Sequence, residues 1–308
     1  MTTESEARAV RLADEPMRAA GPQPGFVGGT LQSVKDILAH RELLDLLVRR
    51  ELKARYKDSV LGFFWSLAKP LAMLLVYYVA IGKFLGAEQQ VRDGAGIPSF
   101  AIFIFTGLTA WMLFSDIVVG GTSSIVNNAG LIKKVYLPRE VFPLSVVGAA
   151  LFNFGIQLVI LVGATVVLGE FPTGARWGYA VLALAVLLVF ATAVALLLAA
   201  VNVYLRDVAY LVEIMIMIFF WASPIVYSLK QVQDAVGAGS LGERVYLLNP
   251  MTQVIMGFQK TFWVAGDSQP FSDTLIQDLV VTLGIVTVLL WVSQRVFARL
   301  QSNFAQEL

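Results

Sequence analysis

Cysteine is absent from this 308-residue chain and histidine occurs once, at His40. Disulfide frameworks, thiolate zinc sites and multi-histidine metal sites are therefore excluded, and the same shortage argues against a Cys or Ser-His nucleophile. Charge is scarce as well. Charged residues make up 15% of the chain against 57% hydrophobic, and the mean hydropathy is +0.72. Those values lie outside the range of soluble domains and define an integral membrane protein. A phosphate-cradling G-x-x-x-x-G-K-[ST] loop is also missing. The nearest look-alike, Gly257 to Thr261 (GFQKT), has the wrong spacing and is expected on the outward side, so the chain does not hydrolyse ATP by itself. No carboxylate pair of DxD type lies beside an apolar run. Lys69, Asp116 and Glu213 fall near the ends of such runs, where ionisable side chains reach the interface cheaply, and they form no buried relay of the ion-coupled kind.

Three regions follow from composition. Residues 1–30 mix charge, Ala, Gly and Pro without a sustained apolar period, which predicts a flexible tail. No signal-peptide core is present, so the N-terminus is expected in the cytosol. Residues 31–65 hold the stretch RELLDLLVRRELKARYK, 41–57. On a helical wheel Leu43, Leu44, Leu47, Val48 and Ala54 share one arc, and Asp45, Arg49, Arg50, Lys53 and Lys57 lie opposite. This is a basic amphipathic helix suited to the headgroups of an anionic leaflet. Residues 66–308 then carry six apolar segments near the length needed to cross a bilayer, at 66–86, 99–119, 141–168, 177–201, 209–229 and 277–296.

Orientation follows from lysine and arginine. Ten precede the first segment, and Lys133, Lys134, Arg139, Arg206, Arg295 and Arg299 lie on the same side; the opposite side has only Arg92, Arg176, Lys230, Arg244 and Lys260 over longer loops. The positive-inside rule puts both termini in the cytosol. The outward loop 230–276 contains LLNPMTQVIMGFQKTFW, in which Asn249 is a helix cap, Pro250 suits the first helical position, and Met251, Val254, Ile255, Phe258 and Phe262 recur at helical spacing. It is too short and polar to span. It is either a re-entrant helix plugging the outer side or a helix resting on the bilayer surface. Two proline steps, Lys69-Pro70 and Ser223-Pro224, predict a break at the start of the first segment and a kink within the fifth. Aromatic residues are plentiful; Tyr77, Phe103, Phe154, Phe220 and Trp221 either pack or offer flat rings along a path for sugars.

Several ordered motifs carry a resemblance: LLVRRELKARYKDSVLGFFWSLAKPL (46–71), NNAGLIKKVYLPREVFPL (127–144), NVYLRDVAYLVEI (202–214), WASPIVYS (221–228) and LLNPMTQVI (247–255). From about residue 41 onward the chain resembles the membrane subunits of ABC type-2 exporters of lipid-linked polysaccharides, meaning O-antigen, teichoic acid and related cell-wall polymers such as galactan. The first 30 residues have no counterpart in that pattern.

The resemblance implies an all-α integral membrane protein with six transmembrane helices, an N-terminal amphipathic interface helix, cytosolic coupling helices and an outer re-entrant or interfacial helix before the last span. It implies a homodimer in the bacterial inner membrane, bound to two copies of a separate ATPase that holds the ATP and Mg, with the polymer path near the dimer interface. It gives LIKKVYLPRE the role of a coupling helix docked on that ATPase. Lys133, Lys134 and Arg139 would be its charge contacts, Tyr136, Leu137 and Pro138 its packed centre, and Glu140 its end; Tyr204, Arg206 and Asp207 of YLRD would form a second contact. The 41–57 helix would shape an access gap for a lipid diphosphate, to which Arg49, Arg50, Arg55 and Lys69 are suited, and the helix marked by Asn249, Pro250 and Phe258 would be an outer gate. Membrane lipids are further partners, and nothing points to nucleic acid. Two other readings stay open: an ABC permease for a drug or small lipid, and a membrane-embedded glycosyl- or prenyl-phosphate transferase. The last requires acidic metal-binding loops on the cytosolic face, where loops 120–140 and 202–208 offer only Glu140 and Asp207.

Overall fold

The computed structural model describes residues 26–56, 65–87, 97–134 and 137–308, and every regular element among them is helical. Two helices come first, α1 (Phe26–Ala39) and α2 (Arg41–Tyr56). They meet at His40, whose Nδ1 lies 2.7 Å from the Asp36 carbonyl oxygen at the end of α1. The expected tail boundary at residue 30 thus falls inside a helix. Residues 1–25 lie outside the described part.

Helix α3 (Trp65–Tyr77) continues into a π-helical segment, Tyr78–Phe84. Pro70 lies within α3 and not at its start. Then follow α4 (Phe100–Asn127), the one-turn α5 (Ala129–Ile132), α6 (Val141–Val167), α7 (Arg176–Tyr204), α8 (Val208–Trp221), α9 (Leu229–Val236), α10 (Leu241–Leu247), α11 (Pro250–Phe262), α12 (Leu275–Leu300) and, after a 3-10 turn at Gln301–Asn303, α13 (Phe304–Glu307). Five stretches are long and apolar enough to cross a membrane: Leu67–Phe84, Phe100–Asn127, Val141–Val167, Arg176–Tyr204 and Leu275–Asn303.

Helix α4 is the central element, packed against α6, α7, α8 and α11. It runs eight residues beyond the predicted end at 119. Its last turns hold Gly120, Gly121, Thr122, Ser123 and Ser124, which lower the hydropathy without breaking the helix. The Thr122 hydroxyl donates to the Val118 carbonyl at 2.7 Å and the Ser124 hydroxyl to the Gly121 carbonyl at 2.7 Å, so both groups are satisfied within the helix. Small residues here let backbones approach: a Cβ on Gly121 would come within 2.6 Å of Ala195 Cβ on α7. Helix α7 presents Ala183, Ala191, Ala195 and Ala199 at full burial, the small-residue packing that membrane helices use in place of a hydrophobic driving force.

The fifth predicted span differs from the structure. Helix α8 has 14 residues and stops at Trp221, and Ser223-Pro224 forms a buried turn in place of a kink. Proline supplies no N–H to continue the ladder, and the freed carbonyls are claimed by α11. Gln259 Nε2 donates to the Pro224 carbonyl at 2.7 Å and Asn249 Nδ2 to the Ala222 carbonyl at 3.2 Å. The break is therefore a built feature of the fold.

Candidate functional site

Polar side chains gather at the two ends of the bundle. At the end carrying most of the basic residues, α4 passes into the loop 128–140. Asn128 Nδ2 donates to the Ser124 carbonyl at 2.8 Å, and its Oδ1 accepts a hydrogen bond from Arg50 of α2. One turn of helix follows, and Lys133 and Lys134 stand exposed at its tip. Tyr136 lies outside the described residues. Leu137 and Pro138 are half-buried, Leu137 against a cluster containing Ile132, Phe142, Val203, Phe297 and Phe304. Arg139 lies over the Phe304 ring, 5.6 Å from its centroid.

Glu140 is only 4% exposed, so it is not part of an open docking face. Burial pushes its carboxyl above the usual carboxylate range, opposed by its own backbone N–H, by Gln301 Nε2 at 3.5 Å and by the positive charge of Arg295. The second loop, Leu205 to Asp207, leaves Arg206 and Asp207 exposed. Tyr204 turns inward instead, donating to the Leu300 carbonyl at 2.8 Å. The expected contact residues thus divide into an exposed set (Lys133, Lys134, Arg206, Asp207) and a supporting set beneath it (Leu137, Pro138, Arg139, Glu140, Tyr204). The C-terminal residues Gln301 and Phe304 complete this arrangement. They escaped the sequence reading because a polar stretch after the last span carries no periodic signal.

Beside this loop, α2 rests on the bundle rather than standing apart. Leu47 is buried, and a Cβ on Gly148 of α6 would come within 2.6 Å of Val48 Cγ2, so the glycine is what lets α2 lie this close. Its basic side chains are exposed: Arg49 is paired with Asp45 at 2.8 Å one turn earlier, and Arg50, besides its bond to Asn128, reaches Glu51. The Arg55 side chain lies outside the described part. Lys69 is exposed on α3, as is Glu213 on α8, and the two form no ion pair with each other.

At the opposite end α11 is buried along nearly its whole length, held by α4, α7 and α12. Asn249 caps it, accepting from the Met251 N–H at 3.0 Å, and Pro250 occupies the first position. The same Asn249 side chain donates to the end of α8, so one residue joins both helix termini. Phe258 is fully buried, edge-on to Phe154 at 6.0 Å. A Cβ on Gly257 would come within 2.8 Å of Ala183 Cβ, placing α11 directly against α7. Gln253, also buried, accepts from the Thr282 hydroxyl at 2.7 Å and donates to the Leu247 carbonyl at 2.9 Å. Beyond α11, Asp267 pairs with Arg176 and lies 3.7 Å from Lys260.

The five selected aromatics separate. Phe103, fully buried, packs on Trp263 at 4.7 Å, and Phe154 packs on Phe258; both belong to the core of the bundle. Tyr77, Phe220 and Trp221 form a chain where α3 meets α8, with centroids 5.7 Å apart for the first pair and 5.5 Å for the second. Trp221 is 54% exposed at its outer edge. Among the described residues no three His, Asp or Glu side chains come together in a way that would hold a metal ion.

A bundle of apolar spans, with a buried short helix at one end and exposed basic loops at the other, defines a multi-pass membrane protein. The family model of the ABC-2 type transporter matches residues 42–263, and the chain belongs to that family. Similar chains include the O-antigen export system permease protein RfbA of Myxococcus xanthus, 34% identical over 282 residues, covering 90% of this chain and all of the relative. Two permeases of the same name from Klebsiella pneumoniae are 27% identical over 266 residues (86% of this chain, 94% of the relative) and 29% identical over 222 residues (72% and 80%).

Proposed function

We propose that this chain is the transmembrane subunit of an ATP-driven exporter that carries a lipid-linked polysaccharide, of the O-antigen, teichoic acid or cell-wall galactan type, outward across a bacterial inner membrane. The observation that carries this reading is the similarity to O-antigen export permeases over nearly the full length of both chains. Two features of the structure support it. Exposed Lys133, Lys134, Arg206 and Asp207 offer charged contacts above a packed floor, which is how small protein interfaces are built. The basic face of α2, close to that loop, suits a diphosphate-linked lipid at an anionic leaflet.

The assembly contains two copies of this chain and two of a nucleotide-binding ATPase, with ATP and Mg held by the latter. Both termini face the cytosol, following the distribution of Lys and Arg. The sixth crossing is α8 together with the buried turn after it. Fourteen residues at 1.5 Å each reach about 21 Å, short of the roughly 30 Å hydrocarbon core, and the polar ends claimed by Asn249 and Gln259 make up the remainder inside protein. In this arrangement ATP binding moves the two loops and tilts the spans, and α11 yields at the outer side.

Purification of the tagged chain from its native membrane in mild detergent tests the reading. An ATPase in equimolar amount is expected, lost when Lys133, Lys134 and Tyr136 are changed together to Ala while membrane insertion persists. A chain that emerges alone, or an association untouched by the triple change, would remove the coupling role from this loop. Loss of surface polymer on deletion, with drug efflux unchanged, separates the glycan cargo from a small-molecule one.

A further inference from the structure

The last eight residues form a small polar segment that nothing in the sequence pattern singles out, yet one of them is among the most buried side chains in the protein. Phe304 has no exposed surface. Its ring sits edge-on to Phe297 of α12 at 5.5 Å and to Tyr204, the last residue of α7 before the second loop, at 6.2 Å, and it receives Arg139 of the first loop on its face at 5.6 Å. Those geometries are favourable for ring pairs and for a guanidinium over a ring. The segment touches the first loop a second time, Gln301 Nε2 donating to Glu140 Oε1 at 3.5 Å, and immediately before it Leu300, the last residue of α12, accepts through its carbonyl from the Tyr204 hydroxyl at 2.8 Å. Leu308, the final residue, packs on the same apolar cluster as Leu137 and Tyr204.

Arg139 and Tyr204, the residue that leads into the second loop, are 65 positions apart in sequence, and each loop leaves its exposed residues at one end of the bundle. Phe304 touches both side chains, within an apolar cluster that also holds Leu137 and Val203. We infer that the C-terminal segment is a clasp and Phe304 its positioning residue, holding the loops 128–140 and 205–207 in one fixed mutual arrangement. The consequence for transport rests on the coupling role proposed above. Two contacts on one ATPase transmit a single motion only when their spacing is set, and a segment joining them sets it.

The absence of cysteine from the chain supplies a clean experiment. Spin labels at Lys133→Cys and Arg206→Cys, both exposed, report the distance between the loops in the isolated full-length protein. A narrow distribution is expected in the native background, a broad one in Phe304→Ala, and a narrow one again in Phe304→Leu, which refills most of the lost volume. A second label pair at the opposite end of the bundle, at Val245→Cys and Asp267→Cys, should be the same in all three and shows that the fold is retained. Identical loop distributions in all three backgrounds overturn the clasp.

In the complex with its ATPase, Phe304→Ala should lower kcat for ATP by roughly fivefold or more, with KM for ATP within about twofold, the size of an ordinary coupling between sites. Phe304→Leu should restore it. Broad loop distances together with native turnover would leave the clasp standing and sink the coupling role of the loops, so the two failures are distinguishable.

Discussion

Asn249 shows how much one side chain does in this fold. Its oxygen caps α11 by accepting from Met251, and its amide nitrogen donates to the last free carbonyl region of α8 at Ala222. Replacement by Ala removes the cap, at a cost of about 1 kcal/mol, and leaves the Ala222 carbonyl short of a donor for about another 1 kcal/mol. Asn249→Asp keeps the acceptor and loses only the donor, so its thermal midpoint in detergent should fall between native and Asn249→Ala. Equal losses in both variants would mean that only the donor matters. Glu140 gives a second test at this scale, through pH. Burial raises the affinity of its carboxyl for a proton above that in the unfolded chain. The stability that this favours is fully present below the ordinary carboxylate range and is lost as pH rises through the raised value. Glu140→Gln keeps an acceptor for Gln301 without the buried charge. It should therefore melt above the native protein at pH 8, and the difference should vanish as pH falls to about 4. A native protein that melts higher than Glu140→Gln at pH 8 would show that the Arg295 charge outweighs burial.

Between elements, the decisive contacts are made by residues with little or no side chain. Helix α2 lies on α6 because Gly148 leaves space for Val48. Gly148→Leu should lift α2 from the bundle while all spans still insert. A cysteine replacing the buried Leu47 reads this directly: inert to a membrane-impermeant maleimide in the native background, labelled in the Gly148→Leu background. Equal protection in both backgrounds would mean that α2 is held by its polar contacts alone. The same close approaches explain what the sequence could and could not announce. Apolar length is a strong signal, and the starts of α4, α6, α7 and α12 fall within about two residues of their expected places. Asn249 and Pro250 are equally legible, because capping chemistry is local. The end of α4 was not, since Thr122 and Ser124 look like a loop until their hydroxyls turn back onto the helix. Nor was the break after Trp221. Whether a Ser-Pro step kinks a helix or ends it depends on donors far along the chain, here Gln259 and Asn249. The basic end divided for a similar reason: Lys133 and Glu140 share one polar stretch, and only tertiary packing exposes the first and buries the second.

At the scale of the whole molecule, the homodimer proposed above requires one face of the chain to meet a second copy. Exposed apolar side chains do not decide which, because α3, α7, α8 and α12 all carry them, as lipid-facing helices must. The aromatics do discriminate. Among the described residues, Phe103 and Phe154 are buried and pair with no exposed ring, whereas Tyr77 and the buried Phe220 lead to the exposed Trp221 where α3 meets α8. On the proposed reading a sugar path near the dimer interface would be lined with rings, so α8 should face its counterpart across the twofold axis. In an isologous pair a residue near the axis lies close to its own copy. Met217→Cys, 61% exposed on α8, should therefore form a disulfide-linked dimer in native membranes under mild oxidation, and Val281→Cys, equally exposed on α12, should not. Cross-linking at residue 281 and none at 217 would place the interface on α12 and detach the Tyr77, Phe220 and Trp221 run from the path. Because the native chain contains no cysteine, each result reports one position alone.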